Sequence, residues 1–315
     1  MLGAALALAA PAHAQDYPSR PVTMIIPFAP GGGTDSVARQ LGPTLSAKLG
    51  QTIVIENVSG GAGNIASARV ARAAPDGYTL MMHNVAFALN ASLYRRLPFD
   101  TEKDFVPIAF VNYTPLVMVG RKDLPGNTVA EVVAWMKGAP AKLAHPGVGS
   151  TGHLAAMLFV RTAGVNADLI PYRGGGPALA DVIAGHVDMT AATVQAVIEP
   201  INGGIVKGIG ITSEQRMQAI DKVPSLVKEM GPNLDVPFWN VLVAPKDTPQ
   251  PILDKIHAAL EAALADEALV AAWRKNGVEL YSKEQRMPAA ARSILRQQIE
   301  RWGQVVRDNK IEAQQ

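Results

Sequence analysis

The chain has 315 residues, of which 48% are hydrophobic and 18% are charged. This composition is too apolar for a disordered protein, and the length predicts two domains. With 29 Lys and Arg against 27 Asp and Glu, the net charge is only +2, which argues against a nucleic-acid-binding protein. Cysteine is absent, which excludes disulfide frameworks, cysteine zinc sites, iron–sulfur clusters and thiol nucleophiles.

The N-terminus predicts an exported protein. Residues 2–10 form the apolar run LGAALALAA, and the run is followed by Pro11 and by Ala12-His13-Ala14, an A-x-A cleavage pattern. No Lys or Arg precedes the run, so we expect residues 1–14 to be the back part of a signal peptide. The run is too short to span a bilayer. No later segment has 18 consecutive apolar residues, so the mature chain is not expected to span a membrane. Export of a chain without cysteine predicts a periplasmic location.

Strand-like runs alternate with helix-like runs along the chain, and this alternation predicts an α/β fold. The predicted strands cover residues 22–26, 52–56, 78–82, 108–111, 116–119, 142–145, 167–171, 187–190, 208–212 and 241–243. The predicted helices cover residues 37–49, 64–74, 129–137, 154–163, 177–184, 251–265 and 288–308. We expect Gly42-Pro43 to kink or break the first helix, because proline removes a backbone donor from a helix interior.

Two Gly-rich loops each lead from a predicted strand into a predicted helix, at residues 29–35 (APGGGTD) and 146–153 (PGVGSTGH). Such a loop exposes unpaired N–H groups and the positive end of the helix dipole, and it therefore suits an anion. Thr34, Ser150 and Thr151 add hydroxyls that can donate to a carboxylate. Asp35 would repel an anion, so we expect it to cap the helix or to hold the loop. If each loop belongs to one domain, both can reach a ligand in the cleft between the domains.

Three other interpretations of these loops remain open. Either loop can be a tight turn without a ligand. The patterns G-x-G-x-x-G at residues 147–152 and G-x-G-x-x-A at residues 61–66 resemble dinucleotide motifs, although export makes NAD a poor candidate. A periplasmic hydrolase would use Ser150 with His153, but Ser150 lacks the first glycine of the G-x-S-x-G elbow. The histidines show no metal-ligand spacing, and neither a metal nor a cofactor is predicted.

A series of short motifs runs along nearly the whole mature chain. It includes IPFAPGGGTD at residues 26–35, GGAGNI at 60–65, APDGYTL at 74–80, PYRG at 171–174 and GHVD at 185–188. Each motif is weak alone, but the ordered series is specific. The chain resembles the Bug-type (TctC-like) periplasmic solute-binding proteins of tripartite tricarboxylate transporters.

The resemblance implies a two-lobed periplasmic-binding-protein (Venus flytrap) fold with the ligand cleft between the lobes. Domain 1 would comprise residues 15–107 and 226–315, and domain 2 residues 108–225. The implied ligand is a small organic carboxylate, either a di- or tricarboxylate or an aromatic acid, captured by cleft closure without covalent chemistry. The receptor would be a monomer that meets membrane permease subunits transiently. A ligand-sensing receptor for a signalling partner is an alternative.

The resemblance also implies the ligand-binding residues. They comprise the two loops and a cleft-facing turn: Phe28, Gly31, Gly32, Gly33, Thr34 and Asp35; Gly149, Ser150, Thr151, Gly152 and His153; and Tyr172, Arg173 and Gly174. Two departures from the family pattern bear on specificity. His83-Asn84 replaces small residues and predicts a bulkier, partly aromatic wall. Ala192-Thr193 replaces a frequent Asp-Asn pair and predicts a plain or larger acid rather than an amino acid.

Overall fold

The computed structural model describes residues 17–312 of the chain. The predicted signal peptide, residues 1–14, lies outside the described residues. Strands and helices alternate through most of the described chain, as the sequence predicted. Within residues 17–312, no helix combines the length and the apolar character that crossing a membrane requires.

The first lobe is built from both ends of the described chain. Its strands are β1 (Val22–Ile26), β2 (Ile53–Asn57), β3 (Thr79–Asn84), the first part of β4 (Phe105–Arg121), β9 (Pro237–Pro245) and β10 (Glu279–Leu280). The strand order is β2-β1-β3-β9-β4, and β10 pairs with β4. Strands β1, β2 and β3 are parallel, whereas β9 runs antiparallel to β3 and β4.

Helices cover both faces of this part of the sheet. They are α1 (Gly33–Leu49), α2 (Asn64–Ala71), α3 (Ala86–Leu93), α9 (Gln250–Leu264), α10 (Glu267–Lys275), α11 (Lys283–Arg286) and α12 (Pro288–Asp308). Helices α1 and α9 pack together and bury Leu41, Leu45 and Leu260 in one apolar cluster. Helices α3 and α12 bury Phe87 and Trp302 in another. Packing on both faces fixes the sheet edge at which the loops after β1 and β3 emerge.

The second lobe is the middle of the chain. It contains β5 (Ala141–His145), β6 (Ala167–Pro171), β7 (Met189–Thr193) and β8 (Val206–Ile211), with the helices α4 (Val129–Gly138), α5 (Thr151–Ala163), α6 (Gly175–Ile183) and α7 (Val194–Asn202). Its strand order is β4-β7-β5-β6, and β8 pairs with β4. A short helix, α8 (Leu226–Met230), follows before the chain returns to the first lobe.

Strand β4 connects the two lobes. The sequence predicted separate strands at residues 108–111 and 116–119, but the structure has one strand from Phe105 to Arg121. Residues 105–115 pair with β9, and residues 116–121 pair with β7 and β8. Pro115 stands opposite Pro237 where the partners change, and neither proline can donate a ladder hydrogen bond. The two predicted strands are therefore one continuous crossover.

A buried threonine joins this crossover to the second one. Thr212 opens the return segment, and its hydroxyl accepts from the Leu116 N–H at 2.9 Å and donates to the Val236 carbonyl at 2.9 Å. Its own N–H donates to the Leu116 carbonyl at 2.8 Å. The two connections between the lobes are thus tied at one point. The sequence-predicted domain limits at 107/108 and 225/226 stay predictions.

The expected break in the first helix is absent. Helix α1 runs from Gly33 to Leu49 with Pro43 inside it. An interior proline costs about 3 kcal/mol, but Leu41 and Leu45 on either side are fully buried, and each contributes a similar amount by packing. Burial therefore outweighs the lost hydrogen bond. Helices α3, α7, α8, α10 and α11 and strand β10 were not predicted.

Candidate functional site

A buried carboxylate, that of Asp35, fixes the conformation of the first Gly-rich loop. Asp35, 3% exposed, accepts the Gly31 N–H at 3.0 Å, the Arg39 Nε–H at 3.0 Å and the Asn57 amide at 2.9 Å. Asn57 also donates to the Phe28 carbonyl at 2.9 Å. Burial alone would raise the pKa of Asp35, but these hydrogen bonds outweigh it and hold the pKa below its usual range. Asp35 therefore stays ionised with its oxygens engaged.

The N-terminus of α1 is left free by this arrangement. Its N-cap, Gly32, has no side chain that could cap the first N–H groups. The Thr34 hydroxyl lies in the first turn and accepts from the Asn84 amide at 3.0 Å. It keeps its own proton for donation.

The second loop presents the N-terminus of α5. Ser150 is the N-cap, and its hydroxyl accepts the His153 N–H at 3.1 Å. The N–H groups of Thr151 and Gly152 have no partner within the helix. The Thr151 hydroxyl is buried and makes no hydrogen bond to any described residue. The loop therefore offers two backbone donors and one free hydroxyl.

Two more helices of the second lobe begin at the same place. Helix α6 starts after Gly174, which has no side chain to act as a cap. Helix α7 starts after Thr193, whose hydroxyl does not cap the helix and is buried without a partner among the described residues. Free N–H groups at a helix start carry a partial positive charge, equivalent to roughly half an elementary charge per helix. Four such helix starts converge here.

These elements enclose one narrow cavity between the lobes. Its volume is about 50 Å³, well below the ~300 Å³ at the lower end of typical small-molecule pockets. The lining residues are Phe28, Gly31, Gly32, Gly33, Thr34, Asp35, Asn84, Leu116, Pro146, Ser150, Thr151, Gly152, Gly175, Ala191, Ala192, Thr193, Ala196 and Phe238. None of them is a Lys, Arg or His. The hydrogen-bond donors that the wall offers are backbone N–H groups and hydroxyls.

The cavity is narrow because the lobes touch. The Ala29 N–H of the first lobe donates to the Arg173 carbonyl of the second at 3.2 Å. The Tyr94 hydroxyl donates to the Val148 carbonyl at 3.0 Å. A Cβ on Gly33 would lie only 2.4 Å from the Thr193 methyl group. Only a residue without a side chain permits this approach.

The structure brings most of the sequence-predicted site residues into the cavity wall. Eleven of the seventeen line it: Phe28, Gly31, Gly32, Gly33, Thr34, Asp35, Asn84, Ser150, Thr151, Gly152 and Thr193. Six do not line it: His83, Gly149, His153, Tyr172, Arg173 and Gly174. Tyr172 donates to Asp181 at 2.6 Å, and the turn at Arg173-Gly174 meets the first loop through its backbone.

The two histidines in this set lie behind the cavity wall. His83 stacks on Phe87 with 5.0 Å between ring centroids and meets the edge of Phe28. Burial lowers the pKa of His83 to about 3. His153 lies 4.4 Å from the His145 ring, and burial, then the nearby His145, lowers the pKa of His153 to about 3. Both rings favour the neutral form at pH 7 and lie outside the set of lining residues, and a ligand-binding role for them stays a prediction.

Seven lining residues were not among the predicted site residues: Leu116, Pro146, Gly175, Ala191, Ala192, Ala196 and Phe238. Gly175 could have been found, because three consecutive glycines precede a predicted helix at residues 174–176. Leu116 and Phe238 carry no local signal. They reach the cavity only because β4 pairs with β9 across more than 100 residues of chain.

Comparison with known proteins identifies the family. A sequence model described as "Tripartite tricarboxylate transporter family receptor" matches residues 37–311. Protein BugT of Bordetella pertussis is 33% identical over 305 residues, which are 96% of this chain and 93% of BugT. The chain therefore belongs to this receptor family, and the resemblance stated from the sequence is confirmed.

Solved structures agree on the fold. The structure of the periplasmic binding protein BugD matches with a TM-score of 0.91 and 34% identity, covering 95% of this chain and 100% of BugD. MatC from Rhodopseudomonas palustris, solved with bound malate, matches with a TM-score of 0.88 and 33% identity, covering 92% of this chain and 100% of MatC. The predicted two-lobed periplasmic-binding-protein fold is confirmed.

Proposed function

We propose that the protein is a periplasmic receptor that closes around a small organic carboxylate and delivers it to a membrane permease. The convergence of four helix N-termini on one interlobe cavity carries the proposal. Two buried hydroxyls without partners, on Thr151 and Thr193, lie in the same wall. A carboxylate accepts hydrogen bonds only, so it complements a wall of donors. The malate bound to MatC is a ligand of this chemical class.

The proposed mechanism is capture by closure. In the open protein, the first lobe offers the α1 N-terminus and Thr34, and the second offers the α5 and α7 N-termini. A carboxylate bridging them gains charge-assisted hydrogen bonds from both sides, which favours the closed state. Closure then adds the Ala29–Arg173 and Tyr94–Val148 hydrogen bonds.

We infer that the chain binds its ligand without transforming it. Ser150 uses its hydroxyl to cap α5, and the His153 Nδ1 accepts the Gly149 N–H at 3.3 Å. No carboxylate of residues 17–311 hydrogen-bonds to the His153 ring. A hydrolase would need the Ser150 hydroxyl to donate to that ring and an acid to orient it.

Thermal unfolding with a panel of acids tests the proposal. The panel comprises succinate, glutarate, adipate, malate and 4-hydroxybenzoate, each beside the analogue in which every carboxylate is replaced by a primary amide. A true ligand at about 100 times its dissociation constant stabilises by about 2.7 kcal/mol. We expect at least one acid, and none of the amides alone, to raise the melting temperature. No shift with any acid would contradict the carboxylate assignment.

A further inference from the structure

Three amide side chains, those of the fully buried Asn112 and Asn240 and of the partly buried Gln195, take no part in the proposed capture of the carboxylate. Asn240 on β9 and Asn112 on β4 face each other in register, both fully buried. The Asn240 Nδ2 donates to the Asn112 Oδ1 at 3.0 Å. The Asn112 Nδ2, the Asn240 Oδ1 and both amide atoms of Gln195 are out of contact with solvent and hydrogen-bond to none of residues 17–312. Buried amide atoms are rarely left unpaired, so these four atoms indicate that a polar group of a ligand binds beside them.

Strand register places the asparagine pair next to the cavity. Asn240 stands opposite Asn84 on β3, and Asn84 lines the cavity. Directly opposed residues of antiparallel strands project from the same face with Cβ atoms about 4.5–5.5 Å apart. Phe238, two residues before Asn240 and therefore on the same face, also lines the cavity. Asn240 is thus flanked by cavity-lining residues on two sides.

Gln195 approaches the same region from the second lobe. It lies in the first turn of α7, between the lining residues Thr193 and Ala196. Helix α7 packs against β4, the strand that carries Asn112. Gln195 and the asparagine pair therefore each adjoin residues of the cavity wall, although none of the three is itself among the lining residues.

The unpaired atoms define what they can bind. Whichever way the Asn240 and Asn112 amides are turned, one NH₂ group and one carbonyl of the pair stay free. Gln195 adds one more of each. A carboxylate would face carbonyl oxygens that it cannot satisfy, and no Lys, Arg or His among the described lining residues would offset its charge. A group that both donates and accepts, such as a hydroxyl or a carboxamide, satisfies both kinds of atom.

We propose that Asn112, Asn240 and Gln195 form an inner subsite that binds an uncharged hydroxyl or carboxamide at the end of the ligand remote from its carboxylate. The inference rests on the proposed carboxylate function and narrows the ligand class to hydroxy or amide derivatives of small monocarboxylic acids. The subsite determines specificity, and the helix N-termini supply the general affinity for the acid.

Calorimetric titration of the full chain with matched probes tests the subsite. The probes are the four- to six-carbon acids carrying at their far end a methyl group, a hydroxyl, a carboxamide or a second carboxylate. For the best chain length we expect the hydroxy or amide acid to bind about tenfold tighter than the methyl-ended acid. In the double variant Asn112→Leu/Asn240→Leu, this ratio of affinities should fall below about threefold. The methyl-ended acid should keep its affinity.

The double substitution removes both partners of the buried pair and leaves no single amide stranded, so the variant is expected to fold. Gln195→Leu provides an independent second variant with the same expected fall in this ratio of affinities. If both variants keep the full ratio of affinities between the hydroxy or amide acid and the methyl-ended acid, the proposed subsite is wrong. Equal binding of all neutral-ended acids by the wild-type chain would also overturn it and leave the carboxylate receptor standing. Failure of every acid to bind would overturn the proposed function itself.

Discussion

Gly33 is the residue on which the approach of the lobes depends most directly. A Cβ at this position would lie 2.4 Å from the Thr193 methyl group and 2.9 Å from its hydroxyl. Overpacking of this kind costs about 1–3 kcal/mol, which corresponds to a loss of affinity of roughly 5- to 150-fold. We expect Gly33→Ala to weaken acid binding by this amount in calorimetric titrations, with little change in the unfolding of the ligand-free protein.

Two variants make this prediction specific. Gly138→Ala places a methyl group where no atom lies within 4 Å, and it should bind like the wild type. Thr193→Ser removes the methyl group nearest to the new Cβ and keeps the hydroxyl, so it should restore part of the affinity of Gly33→Ala. Unchanged affinity in Gly33→Ala would show that the lobes need not approach as closely as they do in this structure.

Buried His83 and His153 predict how stability depends on pH. The pKa of each is lowered to about 3, mainly by burial, so the folded state favours neutral rings. Their contribution to stability is complete above the ordinary pKa of about 6.5. It is lost as the pH falls from there toward 3, at about 1.4 kcal/mol per pH unit for each ring.

Urea unfolding between pH 7 and pH 4 measures this slope. His83→Asn keeps an acceptor for the Asn84 N–H, which the wild-type ring accepts at 2.8 Å, but it does not titrate. In this variant the free energy of unfolding should fall less steeply with decreasing pH than in the wild type, by about 1.4 kcal/mol per pH unit. An unchanged slope would mean that His83 is protonated in the folded protein.

At the scale of single residues, the sequence predicted the features that depend only on the local backbone conformation. The glycines and hydroxyls of the two loops could be assigned because a Gly-rich turn before a helix has the same chemistry in any fold. His83 and His153 were expected in the site from their position in the chain, and the structure places both, buried, behind the cavity wall. Side-chain direction there depends on packing against Phe87 and His145, which the sequence does not show.

The elements that join the lobes are β4 and the return segment, and Thr212 ties them together. Its hydroxyl bridges the Leu116 N–H and the Val236 carbonyl. Thr212→Val keeps the shape and strands both backbone groups, which costs about 1–3 kcal/mol. We expect this loss in urea unfolding, whereas Thr212→Ser should retain most of the stability. Equal stability of the two variants would contradict the role of the hydroxyl.

Element prediction failed where tertiary contacts decide the structure. Residues 112–115, Asn-Tyr-Thr-Pro, carry turn-like signals, yet they continue β4 because β9 pairs with them along their whole length. Helix α1 passes Pro43 because its apolar face is buried against α9. Periodicity alone located the helices that have one clear apolar face, such as α12.

We expect the molecule as a whole to bind anions without a large positive charge. Its net charge is +2, and no cationic side chain of the described residues lines the cavity. Surface charge is screened within about 10 Å at 0.1 M salt, whereas buried groups are screened much less. We expect the dissociation constant of an acid to change by less than about threefold between 0.05 and 0.5 M NaCl. A change of tenfold or more in calorimetric titrations would indicate capture by surface Lys and Arg instead.

The two-lobed shape itself was accessible from the sequence only through resemblance. Length predicted two domains, and the alternation of elements predicted an α/β fold. Neither showed that both chain ends share one lobe, because β9 inserts between β3 and β4 from far along the chain. The asparagine pair at Asn112 and Asn240 escaped prediction for the same reason.

We propose that helix N-termini and hydroxyls hold a carboxylate between the lobes. Calorimetric titration of the tightest-binding acid of the panel, beside the analogue in which every carboxylate is replaced by a primary amide, tests this most directly. Replacing the carboxylate by an amide keeps the size and removes the charge on which the four helix dipoles act. We expect the acid to bind and the amide to bind at least about a hundredfold more weakly. Equal binding of the acid and its amide would contradict it.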